Sequence, residues 1–353
     1  MIQPAKIVRE DGRYRVEYAV RRCQRCVLSN CFPDISFDAA GVCSYCTAPE
    51  VNAAPARKGL AVLRDQIRNG DGEVDIVHLL SGGKDSTFAL TQLVEAGFRV
   101  VAMTYDNDFI APEAVRNIEM TAALLGVECV VRSLDVATTR SLMREGLMGR
   151  DNADALKYST ATCGICISTV LTLGAHEARS RGVKYLSGGW TPGQFTHESI
   201  VPGDFLRQVC EGHFDTVVLR NPQMKAKLAK IQLTETRDYP SLFNPLYVID
   251  YQEAVVLNYL EQIGWIKPEG TDSCSTNCLL NGYLVIDHVL RYGFHPYEYE
   301  LAHHVRTGRL ARSEALEKIE NVSVSDAAVN EVVRRLTLDG IAHTQRIRTC
   351  ANE

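Results

Sequence analysis

The chain has 353 residues, 46% hydrophobic and 23% charged, a composition that excludes a disordered or fibrous protein and fits one or two ordinary globular domains. Lys and Arg total 38 against 43 Asp and Glu, a formal net charge of −5, so nucleic acid gains no global electrostatic attraction, although a local basic patch can sit on an acidic chain. Charges interrupt every apolar run well before the roughly 18 residues of a membrane span, and Met1 to Glu10 lack the apolar core of a signal peptide. The expectation is a soluble, cytoplasmic protein that engages no membrane.

In chain order, Tyr14, Val16 and Tyr18 alternate within residues 1–20 and predict a short strand pair. Cys23-x-x-Cys26 and, after a gap of sixteen residues, Cys43-x-x-Cys46 have the spacing of a four-cysteine zinc ribbon. Two knuckles present thiolates from tight turns and the loop between them closes a tetrahedron around Zn²⁺. Four protein ligands leave no open position, so the expected role is structural. Twelve cysteines in a long chain without an export signal favour metal ligation or thiol chemistry over disulfides. A linker of small residues, Ala48 to Lys58, leads to a helix from about Ala56 to Arg68, stopped by Gly70-Asp71-Gly72.

From Asp75 the pattern changes. The apolar run Ile76 to Leu80 ends in Ser81-Gly82-Gly83-Lys84-Asp85-Ser86, and Thr87 to Ala96 then has helical spacing. Arg99 to Tyr105 predicts a strand, Pro112 to Leu125 a helix, Val127 to Val131 a strand, Ile167 to Arg181 a helix, and Val183 to Ser187 a strand running into Gly188-Gly189. Alternation of this kind predicts a parallel α/β sheet with ligands at the carboxyl ends of its strands. Beyond about residue 245 the reading is mostly helical. The expected units are residues 1–55 (strands and zinc ribbon), 56–270 (ATP-binding α/β domain) and 271–353 (helical C-terminal region).

In the hexapeptide, the glycines allow a tight turn and close backbone approach, while free amides and the helix N-terminus attract phosphate. Lys84 adds positive charge, and Ser86 can cap the helix or bond a phosphate oxygen. The spacing is neither G-x-x-x-x-G-K-[ST] nor G-x-G-x-x-G, which argues against a γ-phosphate-cleaving P-loop enzyme and a dinucleotide dehydrogenase. In its strand–loop–helix setting it resembles the PP-loop of the ATP pyrophosphatase superfamily, with an adenine nucleotide alpha hydrolase-like fold. The resemblance implies that Ser81, Gly82, Gly83, Lys84, Asp85 and Ser86 bind the pyrophosphate of ATP, that Asp85 acts near Mg²⁺, and that Asp106, after the second strand, borders adenine. It further implies that a substrate oxygen attacks the α-phosphorus, pyrophosphate leaves, and a nitrogen or sulfur nucleophile displaces AMP.

Two finer resemblances diverge. Arg25-Cys26-Val27, Asp34 to Asp38 and Gly41 to Cys46, together with Tyr292-Gly293-Phe294 and Arg306 to Arg309, resemble the N-acetyl sugar amidotransferases, in which ammonia displaces AMP to give an amidine. Thr162-Cys163-Gly164-Ile165-Cys166 followed by Cys274 is instead similar to iron–sulfur-dependent tRNA thiouridine synthetases. That likeness implies a [4Fe-4S] cluster on Cys163, Cys166 and Cys274, with a C-x-x-C placed just before the helix from Ile167. Thiolate softness suits iron–sulfur and zinc alike. Spacing therefore leaves open a second closed zinc site of Cys163, Cys166, Cys274 and Cys278, or a catalytic persulfide. His288, His295, His303 and His304 read as surface or core histidines rather than a metal cluster, and Arg306, Arg309 and Arg312 as a solvated face or an anion contact.

The expected function is AMP-forming sulfur transfer. A carbonyl oxygen of a small molecule or nucleobase, such as a purine-like base, is adenylated and replaced by sulfur from a sulfide or persulfide donor, with Asp85, Cys163, Cys166 and Cys274 carrying the chemistry. The alternatives are amidine formation with ammonia from a partner, thiolation of a tRNA base, and a zinc- and ATP-binding regulator without catalysis. A homo-oligomer is expected.

Overall fold

The structure, a computed structural model, describes residues 5–48, 59–68, 70, 72–149, 156–194, 198–233, 239–272 and 274–339. Residues 49–58 of the linker and Cys350 lie outside them.

The N-terminal strand pair is a hairpin of β1 (Ala5–Glu10) and β2 (Arg13–Tyr18), with Glu10 opposite Arg13. Its two turn residues, Asp11 and Gly12, both have positive φ, the backbone a tight hairpin demands for its twist. The cysteine ribbon follows, with a single helical turn α1 (Ser44–Thr47) at its second knuckle. Then come α2 (Leu60–Ile67), β3 (Ile76–Leu79), α3 (Lys84–Glu95), β4 (Val100–Asp106), α4 (Pro112–Leu125), β5 (Cys129–Ser133) and α5 (Val136–Met148). The chain continues through α6 (Ala161–Ser180), β6 (Tyr185–Ser187), β7 (Ile200–Val201), α7 (Gly203–Arg220), α8 (Lys225–Leu228) and β8 (Ser241–Phe243). The last elements are α9 (Glu253–Gln262), α10 (Asn281–Tyr292), α11 (Glu298–Arg306), α12 (Arg312–Glu320), β9 (Ser323–Ser325) and α13 (Asp326–Leu336).

The predicted α/β class is present as a six-stranded sheet in the order β5-β4-β3-β6-β8-β7, parallel except for β7 against β8. β3 is buried along its whole length, as a strand covered on both faces must be, and it delivers the glycine hexapeptide to the middle of the carboxyl edge.

Two features depart from the sequence reading. The region expected to be helical contains β9, which pairs antiparallel with β2 and completes a three-stranded sheet from the two ends of the chain. The helix expected from Ile167 begins at Ala161, because the Thr160 side chain accepts a hydrogen bond from the Cys163 amide, at 3.1 Å, and caps it there. Cys163-x-x-Cys166 therefore lies inside the first turns of α6 rather than ahead of it.

Candidate active site

The phosphate-loop candidate starts from β3. A Cβ on Gly82, whose φ is +74°, would run into the Ala114 carbonyl, so both the turn and the close approach of α4 require glycine. The Gly82 carbonyl accepts from Trp265 Nε1 at 3.0 Å and Asn117 Nδ2 at 3.3 Å, which pins the turn. Ser86 Oγ accepts from the Ser81 amide at 3.1 Å and lies 2.8 Å from Ser81 Oγ, closing the hexapeptide on itself. Because α3 begins at Lys84, the residues Lys84, Asp85 and Ser86 form its first turn, where amides have no carbonyl one helical turn back. Those amides and the helix dipole form an anion cradle.

His78, on β3, is fully buried and ties the cradle to the sheet: its Nε2–H donates to the Ser86 carbonyl at 2.9 Å and its Nδ1 accepts from Ser187 Oγ at 2.7 Å. A carbonyl can only accept, so Nε2 carries a proton, and burial keeps the ring neutral, which leaves Nδ1 to accept from Ser187. Burial lowers the imidazole to about 4. On the far side Gly189 closes in, and a Cβ there would strike the Ser86 amide. Trp190 folds back over Gly188, whose missing Cβ makes room for its ring.

Lys84 is buried, and its Nζ lies 2.7 Å from Asp85 Oδ2 and 3.7 Å from Glu253 Oε1. Burial works to lower its pKa, but Asp85, Tyr251 and Glu253 outweigh it and raise the ammonium well above its ordinary value. Tyr251 Oη donates to the other oxygen of Asp85, so that carboxylate is held from both sides. Lys84, Tyr251, Glu253, Cys274, Glu300 and Arg309 line a small cleft at this edge. Glu300 accepts from Thr191 Oγ1 at 2.6 Å and Gln194 Nε2 at 3.0 Å, which anchors the segment after Gly188-Gly189. Although largely enclosed, Glu300 is kept below its usual range by the neighbouring His304 and by the hydrogen bond from Thr191. Glu253 and Glu300 offer the hard oxygens that Mg²⁺ takes, beside an Asp85 already engaged by Lys84. Asp106 is exposed, and its carboxylate accepts from the Asp108 amide at 3.0 Å in the turn after β4.

The mid-chain cysteines divide. Cys163 and Cys166 face the same core as Cys278, and Asn107 Nδ2 lies 3.6 Å from Cys166 Sγ. Asn281 links the group: its Oδ1 is 3.9 Å from Cys163 Sγ and its amide bonds the Cys278 carbonyl. Burial first, then the neighbouring Cys278, pushes Cys163 and Cys166 each up to about 12. Cys274 packs with a second core, that of the ribbon and C-terminal helices, and faces the Lys84 cleft. Tyr297 packs against both cores and donates to Asn281 Oδ1 at 3.0 Å. The structure thus groups Cys278 with the C-x-x-C. From the sequence it is open whether Cys278 joins a closed zinc site or the cluster site, because its placement depends on a bridge between Ile110 and Cys278 that no local pattern announces.

The ribbon cysteines converge tightly. Cys23 Sγ is 3.8 Å from Cys46 Sγ, Cys26 Sγ is 3.6 Å from Cys43 Sγ, and the four sulfurs all lie within 4.8 Å of one another. A tetrahedral ion bound at about 2.3 Å has sulfur–sulfur edges of about 3.8 Å, so the donor set fits one. Among the described residues it is the one such group of metal-ligating side chains. Arg312 clamps both halves of the first knuckle, donating to the Cys26 and Cys23 carbonyls, each at 2.9 Å. Its role is therefore internal rather than anion recognition. Arg22 and Glu298, nearly inaccessible, pair at 2.8 Å and join the ribbon to α11. His288, His295, His303 and His304 are all buried, the core alternative of the two readings.

No family model matches the chain. An uncharacterised protein of Methanocaldococcus jannaschii is 22% identical over 320 residues, which span 89% of this chain and 98% of that protein. Among solved structures, the chain is similar to an NMN synthetase from Francisella tularensis (TM-score 0.40, 14% identity, 78% of this chain and 92% of that one). It is also similar to a predicted subunit of tRNA methyltransferase from Methanocaldococcus jannaschii (TM-score 0.32, 20% identity, 64% and 91%). At such scores the likeness says nothing of function. No helix among the described residues is long and apolar enough to cross a membrane. The hexapeptide Ser81 to Ser86, its seat between a parallel strand and a helix, and the sheet that carries it are what this chain has in common with the PP-loop ATP pyrophosphatase superfamily.

Proposed function

We propose that the chain is an ATP-dependent, AMP-forming enzyme that adenylates a carbonyl oxygen of a small molecule or nucleobase and replaces it with sulfur. The observation that carries the reading is the anion cradle: a glycine loop at the first turn of α3 with a buried Lys84 beside it. The cradle amides bind the departing pyrophosphate while Lys84 neutralises the charge that grows on it, the kind of preorganised electrostatics that dominates such transfers. Asp85, held by Lys84 and Tyr251, orients that ammonium. Oxygen attack at the α-phosphorus expels pyrophosphate, and a sulfur nucleophile then adds at the activated carbon and expels AMP. Mg²⁺ would bind the phosphate oxygens of the nucleotide near Asp85 and supply further charge neutralisation.

Sulfur transfer is favoured by Cys274 lining the Lys84 cleft, and by Cys163 and Cys166 with Cys278 as their neighbour, near Asn107 just after β4. A [4Fe-4S] cluster there would supply an open iron that presents sulfide. Asn107 and Asn281 orient the sulfurs, and the core packs against one side of the group. The ribbon would hold Zn²⁺ on Cys23, Cys26, Cys43 and Cys46 in a structural role.

The amidotransferase reading keeps one specific support. The two segments resembling that family, the ribbon and the stretch from Tyr292, pack as one body, with Phe32 against Phe294 at 5.2 Å and stacked on Tyr299 at 5.9 Å. Incubating the protein with ATP and candidate acceptors, with either sulfide or ammonium, separates the two. Release of AMP and pyrophosphate with a sulfur-containing product supports the proposal. ADP and orthophosphate would sink it, and product from ammonium alone would favour the amidotransferase.

A further inference from the structure

The segment Cys274–Cys278 runs directly across the anion cradle. Its position is set by backbone bonds on both sides of Cys278: the Ala111 amide donates to the Asn277 carbonyl and the Leu279 amide to the Phe109 carbonyl, each at 2.9 Å. Between them and Cys274 lies Thr276, only 5% exposed, whose Oγ1 accepts from the Lys84 amide at 2.9 Å. The fit is close enough that a Cβ on Gly83 would sit 3.3 Å from both Thr276 Oγ1 and Asn277 Cβ. Two residues before Thr276 stands Cys274, in the Lys84 cleft, and two residues after it Cys278, beside Cys163 and Cys166. The segment is the stretch of chain common to cradle, cleft and thiol group.

The Lys84 amide lies in the first turn of α3 and has no intrahelical acceptor, so its partner must be a side chain or a ligand. It has one hydrogen. While that hydrogen points at Thr276, it cannot be given at full strength to a phosphate oxygen. We propose that Thr276 is a latch that holds the 274–278 strap over the cradle, and that a nucleotide phosphate takes the Lys84 amide only by displacing it. The latch rests on the reading of the hexapeptide as an ATP site. It predicts that the hydroxyl opposes nucleotide binding, whereas a Thr276 that touched the nucleotide would favour it.

The test is calorimetric titration of the full chain with the Mg²⁺ complex of α,β-methylene-ATP. Thr276→Ala should bind it about three- to tenfold tighter than the wild type, about 0.7–1.4 kcal/mol, the range of one net hydrogen bond. Thr276→Ser, which keeps the hydroxyl, should stay within about twofold of the wild type on the same scale. Thr276→Val keeps the shape without the hydroxyl and carries the test if the alanine variant melts early. Unchanged or weaker binding by the hydroxyl-free variants, with a wild type that binds, overturns the latch and leaves the ATP site standing. A wild type that does not bind the analogue overturns the ATP reading, and the latch with it.

Discussion

The chain carries three C-x-x-C pairs, and two regions make opposite use of the same local motif. In the ribbon two pairs face each other across a loop and bring four sulfurs to tetrahedral spacing. In the α/β domain the third pair lies on the first turns of α6, where i and i+3 share a face, and burial pushes both thiols up to about 12. The first is built by two turns close in sequence. The second needs Cys278, more than a hundred residues away, delivered by a single β-bridge. The same spacing thus gives a tight four-sulfur group in the ribbon and, on α6, a pair of thiols whose neighbours come from far along the chain.

The largest effect that would test this contrast is loss of the ribbon. Cys43→Ser removes one of four ligands from a centre whose binding free energy is folding free energy, about 10–16 kcal/mol for structural zinc. The expected result is bound zinc lost from about one equivalent to about none, with a lower melting temperature, since the ribbon anchors α11 through Arg22–Glu298. Normal zinc content in that variant would erase the distinction between the regions.

The thiol grouping is tested next by anaerobic purification and the visible absorption of the protein. Cys278→Ser should lose the brown band while Cys274→Ser keeps it. The reverse outcome would return the third ligand to Cys274. Lys84→Ala should lower kcat/KM for ATP by about 10²–10³, the usual worth of one preorganised charge-stabilising group, and should also lower the melting temperature, because it leaves Asp85 without its counter-charge. An unchanged rate of AMP release would separate the loop from the chemistry.

A smaller effect is pH-dependent. His78, His288 and His295 are buried and their imidazoles depressed, to about 4, 3 and 3, in each case first by burial. Because the folded values lie below the unfolded one, stability is complete above pH about 6.5 and is lost as pH falls towards 4. For His78 the loss amounts to about 3 kcal/mol. His78→Gln should show a shallower fall in melting temperature over that window; a slope equal to that of the wild type would refute the assignment.

Much of this was legible in the sequence where local chemistry is self-sufficient. The four-cysteine spacing, the hexapeptide between an apolar strand and a helix, and the helix Pro112–Leu125 all follow from short-range pattern. What escaped was long-range. β9 is three residues long and exists as a strand because β2 offers it an edge. Likewise Tyr251, Glu253 and Glu300 gave no signal of their own, since their meaning comes from standing beside Lys84. The histidines near the C-terminus were readable as types but not as places.

By itself, then, the order of residues decided the periodicities, the turn-making glycines and the sulfur spacing, because each depends on backbone geometry within a few residues. Which cysteine lies near Cys163 and Cys166, what holds Asp85, and which side chain sits on the Lys84 amide are decided by packing. Burial and hydrogen-bond satisfaction are properties of neighbours in space, and for these groups the neighbours lie tens to hundreds of residues away along the chain.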